Sequence, residues 1–272
     1  IFSVGPIFWC FLISITPEGD LLKNNLKIFP EVVTFMNYKN FLTLGSKESD
    51  VLINGLSNSM YLAVITVLIG MPLSVVTGYA LARYKIKFKN LIISFILMTI
   101  VIPVFTTIIP IYSFFMEHSM LDSMLWTSVI FISAFIPLNI WIIMNYFREL
   151  PEDLWEAAAI EGANERQLFF QIGLPLAKPI VLTSSLVIFL MSWKQYIIPM
   201  LLLSSHNNKV LTLIMSEFMT RDAINYSVIA MSGIIVIIPP LLASIIFRKN
   251  LVSGLTAGSV SYTHLRAHET RH

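Results

Sequence analysis

Long runs of apolar residues, separated by short polar stretches, occupy most of this 272-residue chain. A helix needs about 20 mainly apolar residues to cross a bilayer. By that measure the pattern predicts six membrane-spanning helices. They cover residues 1–15, 57–82, 91–115, 125–147, 180–203 and 226–247. We therefore expect an all-α fold, a polytopic membrane helical bundle whose first helix is truncated.

Prolines lie within the predicted helices, among them Pro103 and Pro110 in the third, Pro137 in the fourth, and Pro239 and Pro240 in the sixth. A membrane helix tolerates proline when neighbouring groups satisfy the freed carbonyls. Kinked helices in a bundle indicate a cavity, and a purely structural role for these prolines is the alternative.

The composition agrees with a membrane protein and excludes an ordinary soluble domain. Hydrophobic residues make up 56% of the chain, charged residues only 12%, and the mean hydropathy is +0.76. A soluble domain carries about twice that fraction of charge. The single cysteine, Cys10, excludes a disulfide framework and a Cys-based metal site. The net charge of +2 gives no reason to expect nucleic acid as a partner.

Basic residues mark one side of the predicted bundle. Residues 83–89 contain four basic residues and no acid, and Arg148, Arg166 and Lys178 follow in the next loop on that side. The opposite loops carry few basic residues, apart from the long segment 16–54, where acids dilute them. Loops rich in lysine and arginine remain in the cytoplasm. The pattern therefore predicts a multi-pass protein with a cytoplasmic C-terminus.

These observations divide the chain into four parts. Residues 1–56 hold the truncated first helix and an extracytoplasmic loop, residues 57–248 form the transmembrane domain, and residues 249–260 form a cytoplasmic tail. Residues 261–272 read SYTHLRAHETRH and differ in character from what precedes them, so we expect them not to be native. A histidine-rich metal-binding tail is the alternative.

The longest polar stretch on the predicted inner side, residues 148–179, has the pattern of a docking element. Pro151 fits the first position of a helix, and the acids after it suit the positive end of the helix dipole. Three alanines then favour helix, and we expect Gly162 to end it in a left-handed conformation.

A second short helix is predicted directly after this glycine. Asn164 and Gln167 have the spacing of an N-cap with a capping box. Pro175 and Pro179 are expected to terminate this helix before the fifth span begins.

The surface of the first helix suits a partner protein. Its alanines allow another surface to approach closely, and Leu154, Trp155 and Ile160 are expected to fill an apolar cleft in that partner. An interfacial helix that only caps the bundle is the alternative.

The order Glu156-Ala157-Ala158, then Gly162, Ile172 and Leu174-Pro175, resembles the EAA motif of binding-protein-dependent ABC importer permeases. Glu161 stands where the sugar-importer branch usually has Asp. The resemblance implies a cytoplasmic coupling helix that seats in a cleft of an ATPase subunit. It places Glu156, Ala157, Ala158 and Gly162 in that contact.

Segments from about residue 58 to residue 258 also resemble the carbohydrate-uptake branch, and the chain is similar to the smaller permease of the maltose transporter. The resemblance implies an ATPase subunit dimer that binds ATP and Mg, a second homologous permease subunit and an extracytoplasmic solute-binding protein. It implies that the chain, in the lipid bilayer of a bacterial inner or plasma membrane, forms the path for a sugar or related solute. No catalytic residue or cofactor is expected in the chain itself.

Polar and aromatic residues within the predicted spans are candidates for the solute pathway. Trp193-Lys194-Gln195-Tyr196 lies deep in the predicted fifth span, where a lipid-facing charge costs about 2.5–3.5 kcal/mol. We therefore expect Lys194 to face a wet cavity or to pair with another buried polar group. Asn139, with Trp193 and Tyr196, fits the stacking and hydrogen-bonding surface that sugars favour. Interhelical packing of these aromatics is the alternative.

The resemblance adds one expectation about the solute. The family commonly shows W-N-E-F at this segment, and Lys194 and Gln195 depart from the usual Asn and Glu. This departure implies a solute different from that of familiar relatives.

Two other classes of protein are the alternatives to such a subunit. A self-contained secondary transporter is expected to show internal repeats and carboxylates near the middle of the membrane, but no predicted span holds Asp or Glu. An integral-membrane enzyme needs a catalytic cluster near the interface, and no such cluster is evident in the sequence. The sequence shows no Walker phosphate loop, so we do not expect the chain to hydrolyse ATP.

Overall fold

The computed structural model describes residues 4–22, 29–43, 47–220 and 225–269, and every element of regular structure in these ranges is helical. Residues 1–3 of the predicted first span and residues 270–272 of the predicted non-native tail lie outside these ranges. The helices are α1 (Gly5–Ser14), α2 (Glu18–Leu21), α3 (Met36–Leu42), α4 (Lys47–Arg83), α5 (Lys89–Val101), α6 (Val104–Glu117), α7 (Met124–Glu149), α8 (Glu152–Ile160), α9 (Glu165–Gln167), α10 (Leu174–Trp193), α11 (Ile197–Leu202), α12 (Leu211–Thr220) and α13 (Tyr226–Glu269). A π-helical turn, Leu168–Gly173, joins α9 to α10.

Four helical segments in the described ranges are long and apolar enough to cross a membrane. They are Ser49–Arg83, Met124–Glu149, Glu165–Trp193 and Tyr226–Arg248. The α5 and α6 pair makes a fifth if it counts as one broken span, and α1 is a shorter apolar helix of 10 residues. The all-α membrane bundle is therefore confirmed, while the number six stays a prediction.

The predicted third span, residues 91–115, is not one continuous helix. The structure has α5 and α6 instead, bent by 93°. Ile102 adopts an extended conformation (φ −66°, ψ 118°) because the residue before a proline is restricted from the helical region. Pro103 also has no N–H to continue the ladder. The break therefore follows from local chemistry at this dipeptide.

The described chain packs into two compact units. The first contains Ile1–Leu62, Pro110–Thr127 and Trp193–Leu242, and the second contains Ala63–Ile109, Ser128–Ser192 and Ala243–His272. The predicted domain boundaries follow a different criterion, and they stay a prediction.

The core of the second unit is built where α4 and α7 approach closely. A Cβ atom on Gly78 would lie 2.8 Å from Ile143 Cγ2 and 3.0 Å from the backbone nitrogen of Met144, so no larger residue fits without a shift. Rings fill the space beside this contact. The buried members of the cluster are Met71, Val75, Tyr79, Ile143, Phe147, Trp155, Leu168, Ala177 and Ile188.

The first unit contains a polar loop, residues 203–209, which two side chains hold from separate elements. Asp122 Oδ1 accepts hydrogen bonds from the backbone N–H groups of Ser204 (3.0 Å) and Ser205 (2.9 Å). Asn58 Nδ2 donates to the carbonyls of Asn207 (2.7 Å) and Lys209 (2.9 Å). These hydrogen bonds position the polar part of the loop through its backbone.

Candidate functional site

The α8 helix has the start and the end that its sequence predicts. Pro151 is the N-cap rather than the first helical residue, one position earlier than predicted, and acids occupy the first turn. Gly162 has φ +88°, the left-handed conformation expected of it. Its N–H donates to the Ala159 carbonyl (3.1 Å), and the N–H of Ala163 donates to the Ala158 carbonyl (3.0 Å). These two bonds are the Schellman pattern, which satisfies carbonyls that the end of a helix leaves free.

The capping box of α9 is also confirmed. The N–H of Gln167 donates to Asn164 Oδ1, and the N–H of Asn164 donates to Gln167 Oε1, both at 2.9 Å. Two reciprocal bonds fix the direction in which the chain leaves the Gly162 turn. The helix–turn–helix that we call the α8–α9 segment (residues 152–167) is therefore determined by local chemistry.

The prediction that Pro175 and Pro179 end this second helix is wrong. Helix continues from Glu165 to Trp193 without a break in the span. The π turn shifts the hydrogen-bond register by one residue directly before Pro175 and so accommodates its missing N–H. Near Pro179, the hydroxyl of Tyr146 donates to the Leu176 carbonyl at 2.7 Å. A tertiary contact thus satisfies a carbonyl in the turn that the proline disturbs.

The Trp155 side chain is not accessible to a partner protein. This corrects the expectation that it fills a partner's cleft. Its side chain is only 2% exposed and packs into the core of the second unit. Its ring centroid lies 5.9 Å from that of Tyr79. A Cβ on Gly173 would lie 3.3 Å from Trp155 Cη2, so the glycine leaves room for the indole. Trp155 therefore anchors α8 to its own bundle.

The other predicted contact residues of α8 remain accessible. Leu154 is 42% exposed and Ile160 is 87% exposed. Glu156, Ala157 and Gly162 are exposed, whereas Ala158 is half-buried against the core. This face is small and acidic, with two apolar side chains. Its exposed acids are Glu152, Asp153, Glu156, Glu161 and Glu165.

The end of α4 contacts the α8–α9 segment through Arg83 and Tyr84, neither of which the sequence predicts as a site residue. The Arg83 guanidinium lies 4.4 Å from the Trp155 ring centroid, and its Nη1 lies 3.7 Å from Glu152 Oε1. The Tyr84 hydroxyl donates to Glu165 Oε2 at 2.8 Å. That bond raises the pKa of Tyr84 to about 12, because it stabilises the neutral phenol beside a carboxylate.

The predicted pathway residues 193–196 do not lie deep in a continuous span. The α10 helix ends at Trp193, and Lys194 is exposed at the break before α11. Pro199 explains the break, because it has no N–H to bond the carbonyl of Gln195 and its ring clashes with that carbonyl. The Thr212 hydroxyl donates to the Gln195 carbonyl instead, at 2.7 Å.

The two aromatics at this break have packing contacts of their own. Trp193 is buried and donates from Nε1 to the Val236 carbonyl at 3.2 Å. The Tyr196 hydroxyl lies 3.2 Å from Ser216 Oγ. Trp193 thus follows the alternative of interhelical packing, whereas Lys194, Gln195 and Tyr196 stay candidates for the pathway.

Asn139 belongs to the second unit and is 0% exposed. Its Nδ2 donates to the Phe135 carbonyl at 2.9 Å, while its Oδ1 has no hydrogen-bond partner among the described residues. In this conformation Asn139 does not line an accessible surface, and its contact with solute stays a prediction. The sequence does not predict the burial of Asn139, because burial depends on residues distant in sequence.

Helices long and apolar enough to cross a membrane, two of them joined through the exposed α8–α9 segment, define a multi-pass membrane protein. Residues 70–256 match the family described as binding-protein-dependent transport system inner membrane component. The chain belongs to this family, and so it is a subunit of a binding-protein-dependent transport system.

Relatives cover nearly the whole chain. It is 27% identical to the trehalose transport system permease protein SugB of Mycobacterium tuberculosis over 263 residues, which cover 95% of this chain and 93% of that protein. It is 29% identical to the arabinooligosaccharides transport system permease protein AraQ of Bacillus subtilis over 257 residues, or 94% of this chain and 89% of AraQ.

A solved structure supports the fold. A chain of a bacterial ABC transporter involved in the import of the acidic polysaccharide alginate superposes with a TM-score of 0.78 at 21% identity. The superposition covers 91% of this chain and 90% of that chain.

Proposed function

We propose that this chain is one of two homologous permease subunits in an ATP-driven importer of a sugar or a related solute. ATP and Mg bind to a dimer of separate ATPase subunits, and the α8–α9 segment transmits their closure to the membrane helices. An extracytoplasmic solute-binding protein delivers the solute. The C-terminus lies in the cytoplasm, and the protein resides in a bacterial inner or plasma membrane.

The single observation that carries the proposal is the division of α8 into a buried side and an exposed side. Trp155 and Ala158 attach the helix to the bundle, while Glu156, Ala157 and Ile160 project outward. A helix that only capped the bundle has no need of small residues and a side chain as exposed as Ile160 on its outer side. The exposed face fits a partner cleft with an apolar pocket and basic residues at its rim.

Relatives support the class of solute. The names of SugB and AraQ specify trehalose and arabino-oligosaccharides, and both proteins align over almost their whole length. Neutral disaccharides and short oligosaccharides are therefore the first solutes to test in a transport assay. The exposed charge of Lys194, at a position where the resembling family usually has Asn, makes an acidic sugar the second class to include.

A substitution at Ala157 tests the coupling contact without disturbing the chain's own core. Because Ala157 is exposed, Ala157→Trp fills the space that a partner needs, whereas Ala157→Ser keeps the volume small. With the cognate ATPase co-expressed, we expect Ala157→Trp to reduce recovery of the ATPase with the permease at least about tenfold. Ala157→Ser serves as the matched control and should bind as the native chain does.

The same preparation separates the proposal from a self-contained transporter. Proteoliposomes with the complete complex should take up labelled disaccharide or oligosaccharide only when ATP and the solute-binding protein are supplied. Uptake by the purified permease alone, without an ATPase, would overturn the proposal. Equal ATPase recovery with Ala157→Trp and Ala157→Ser would remove α8 from the contact.

A further inference from the structure

We propose that Arg83 and Tyr84, at the end of α4, are positioning residues that clamp both ends of the α8–α9 segment to α4. The clamp makes this helix end move with the segment as one body. This inference rests on the proposed coupling function and adds the route by which motion enters the membrane helices.

The first half of the clamp is the contact of Arg83 with the start of α8. A guanidinium within about 6 Å of an aromatic centroid is attracted by the ring, and the 4.4 Å separation from Trp155 lies well inside that limit. The ion pair with Glu152 is weaker, because the Glu152 side chain is 81% exposed and solvent screens it. The stack on a buried indole is therefore the main contact, and the carboxylate orients the guanidinium.

The second half of the clamp lies beyond the other end of α8. Tyr84 donates to Glu165 in the first turn of α9, after the Gly162 turn. A hydrogen bond to a carboxylate is roughly twice as strong as one between neutral groups. Arg83 and Tyr84 are neighbours in sequence, yet their partners lie on opposite sides of a helix of nine residues. Two such contacts prevent α8 from pivoting about its start.

The Tyr79 ring packs beneath both contacts. It lies one helical turn before Arg83, and its ring contacts those of Trp155, Phe169 and Tyr84 at centroid distances of 5.9, 4.9 and 6.1 Å. Edge-to-face ring packing at these distances resists sliding, because the rings interlock. The end of α4 therefore contacts α8, the start of α9 and the π turn together.

The ATP hydrolysed per solute molecule imported distinguishes a defect in the clamp from a defect in folding. We would reconstitute the complete transporter in proteoliposomes and compare only assembled complexes. Arg83→Gln removes the charge, Arg83→Lys keeps the charge but loses the planar stack, and Tyr84→Phe removes one hydroxyl. Lys85→Gln is the matched control, because Lys85 is an exposed cation next to Tyr84.

We expect Arg83→Gln to raise the ATP cost per imported molecule at least about fivefold while ATPase association is retained. Arg83→Lys should give a partial rescue, Tyr84→Phe about a twofold increase, and Lys85→Gln no change. Tyr84→Phe and Glu165→Gln should be non-additive in combination, because both delete the same bond.

Ratios in the Arg83 and Tyr84 variants that match the Lys85→Gln control would overturn the inference. If Arg83→Gln fails to assemble, Tyr84→Phe and its double-mutant cycle decide the question, since that change removes one oxygen from an exposed side chain. A native complex that imports solute without hydrolysing ATP would refute the proposed function itself. Loss of coupling in Ala157→Trp alone, with normal Arg83 and Tyr84 variants, would refute only the clamp.

Discussion

The α8–α9 segment and the 203–209 loop are both polar connections between helices, but different contacts hold them. Aromatic rings and one stacked guanidinium hold the former, through Tyr79, Trp155 and Arg83. The latter is held by backbone N–H groups that donate to the Asp122 carboxylate and by the Asn58 amide, which donates to backbone carbonyls. Ring packing couples a segment to the bundle beneath it, whereas backbone hydrogen bonds fix the shape of a loop. The first suits a part that transmits motion, and the second suits a part that keeps its form.

Removing the indole of α8 should have the largest effect on this comparison. Trp155→Ala deletes a buried ring from the Tyr79 cluster, and such truncations cost about 3–5 kcal/mol. We expect a lower unfolding temperature of the purified permease and faster amide exchange throughout α8. Leu154→Ala, at the exposed neighbouring position, is the control and should stay close to the native stability. Equal losses from the two variants would show that Trp155 does not anchor the segment.

Loss of the Asp122 carboxylate should have a smaller and more local effect. Asp122→Ala leaves two backbone N–H groups without their acceptor, at a cost of about 1–2 kcal/mol because water partly replaces it. Hydrogen exchange at Ser204 and Ser205 should accelerate about tenfold, while α8 stays unchanged. Asp122→Asn keeps an acceptor oxygen and should retain most of the protection. Acceleration spread over the whole first unit would contradict a purely local role.

The turn after α8 should tolerate a side chain at a cost of about 1 kcal/mol. Gly162→Ala forces a Cβ into the left-handed region at φ +88°, where glycine is favoured. Gly162→Asn is the control, since asparagine enters this region more readily. Thermal unfolding should rank native above Asn above Ala. Identical stabilities would mean that the turn relaxes to another conformation.

Acid should weaken the 203–209 loop through protonation of Asp122. Burial opposes ionisation of Asp122, yet hydrogen bonds from Ser205, Ser204 and Asn208 lower its pKa below the usual value. A lowered pKa contributes stability that is complete above about pH 4, the unfolded value, and is lost as pH falls through the folded value. Protection of Ser204 and Ser205 should therefore fall only below about pH 4. In Asp122→Asn this pH dependence should disappear, and its persistence would assign the effect to another group.

Much of the coupling segment is predictable because its signals are local. The capping box of Asn164 and Gln167 and the left-handed Gly162 depend on a few neighbouring residues, and the sequence predicts both correctly. The apolar spans are predictable for the same reason, because hydropathy is summed along the chain. The EAA resemblance predicts the family, since its spacing lies within one continuous segment.

Other features depend on residues far away in sequence, and the predictions for them are wrong. Pro175 and Pro179 are expected to end a helix, but a π turn before Pro175 and the Tyr146 hydroxyl near Pro179 allow the helix to continue. Lys194 is expected inside a helix, but the Thr212 hydroxyl stabilises a break beside it. In both places a side chain from another element donates to a backbone carbonyl. The hydrophobic pattern along the chain does not reveal such a donor.

The amino-acid sequence by itself determined where the apolar helices and the Gly162 turn occur, because propensity, capping and hydropathy act over a few residues. Only the tertiary structure decided that Trp155 faces inward, that Ile160 faces outward, and that Arg83 and Tyr84 reach the two ends of the same segment. A side chain is buried or exposed according to what the rest of the fold places against it. That arrangement results from contacts between distant residues, which no local pattern specifies.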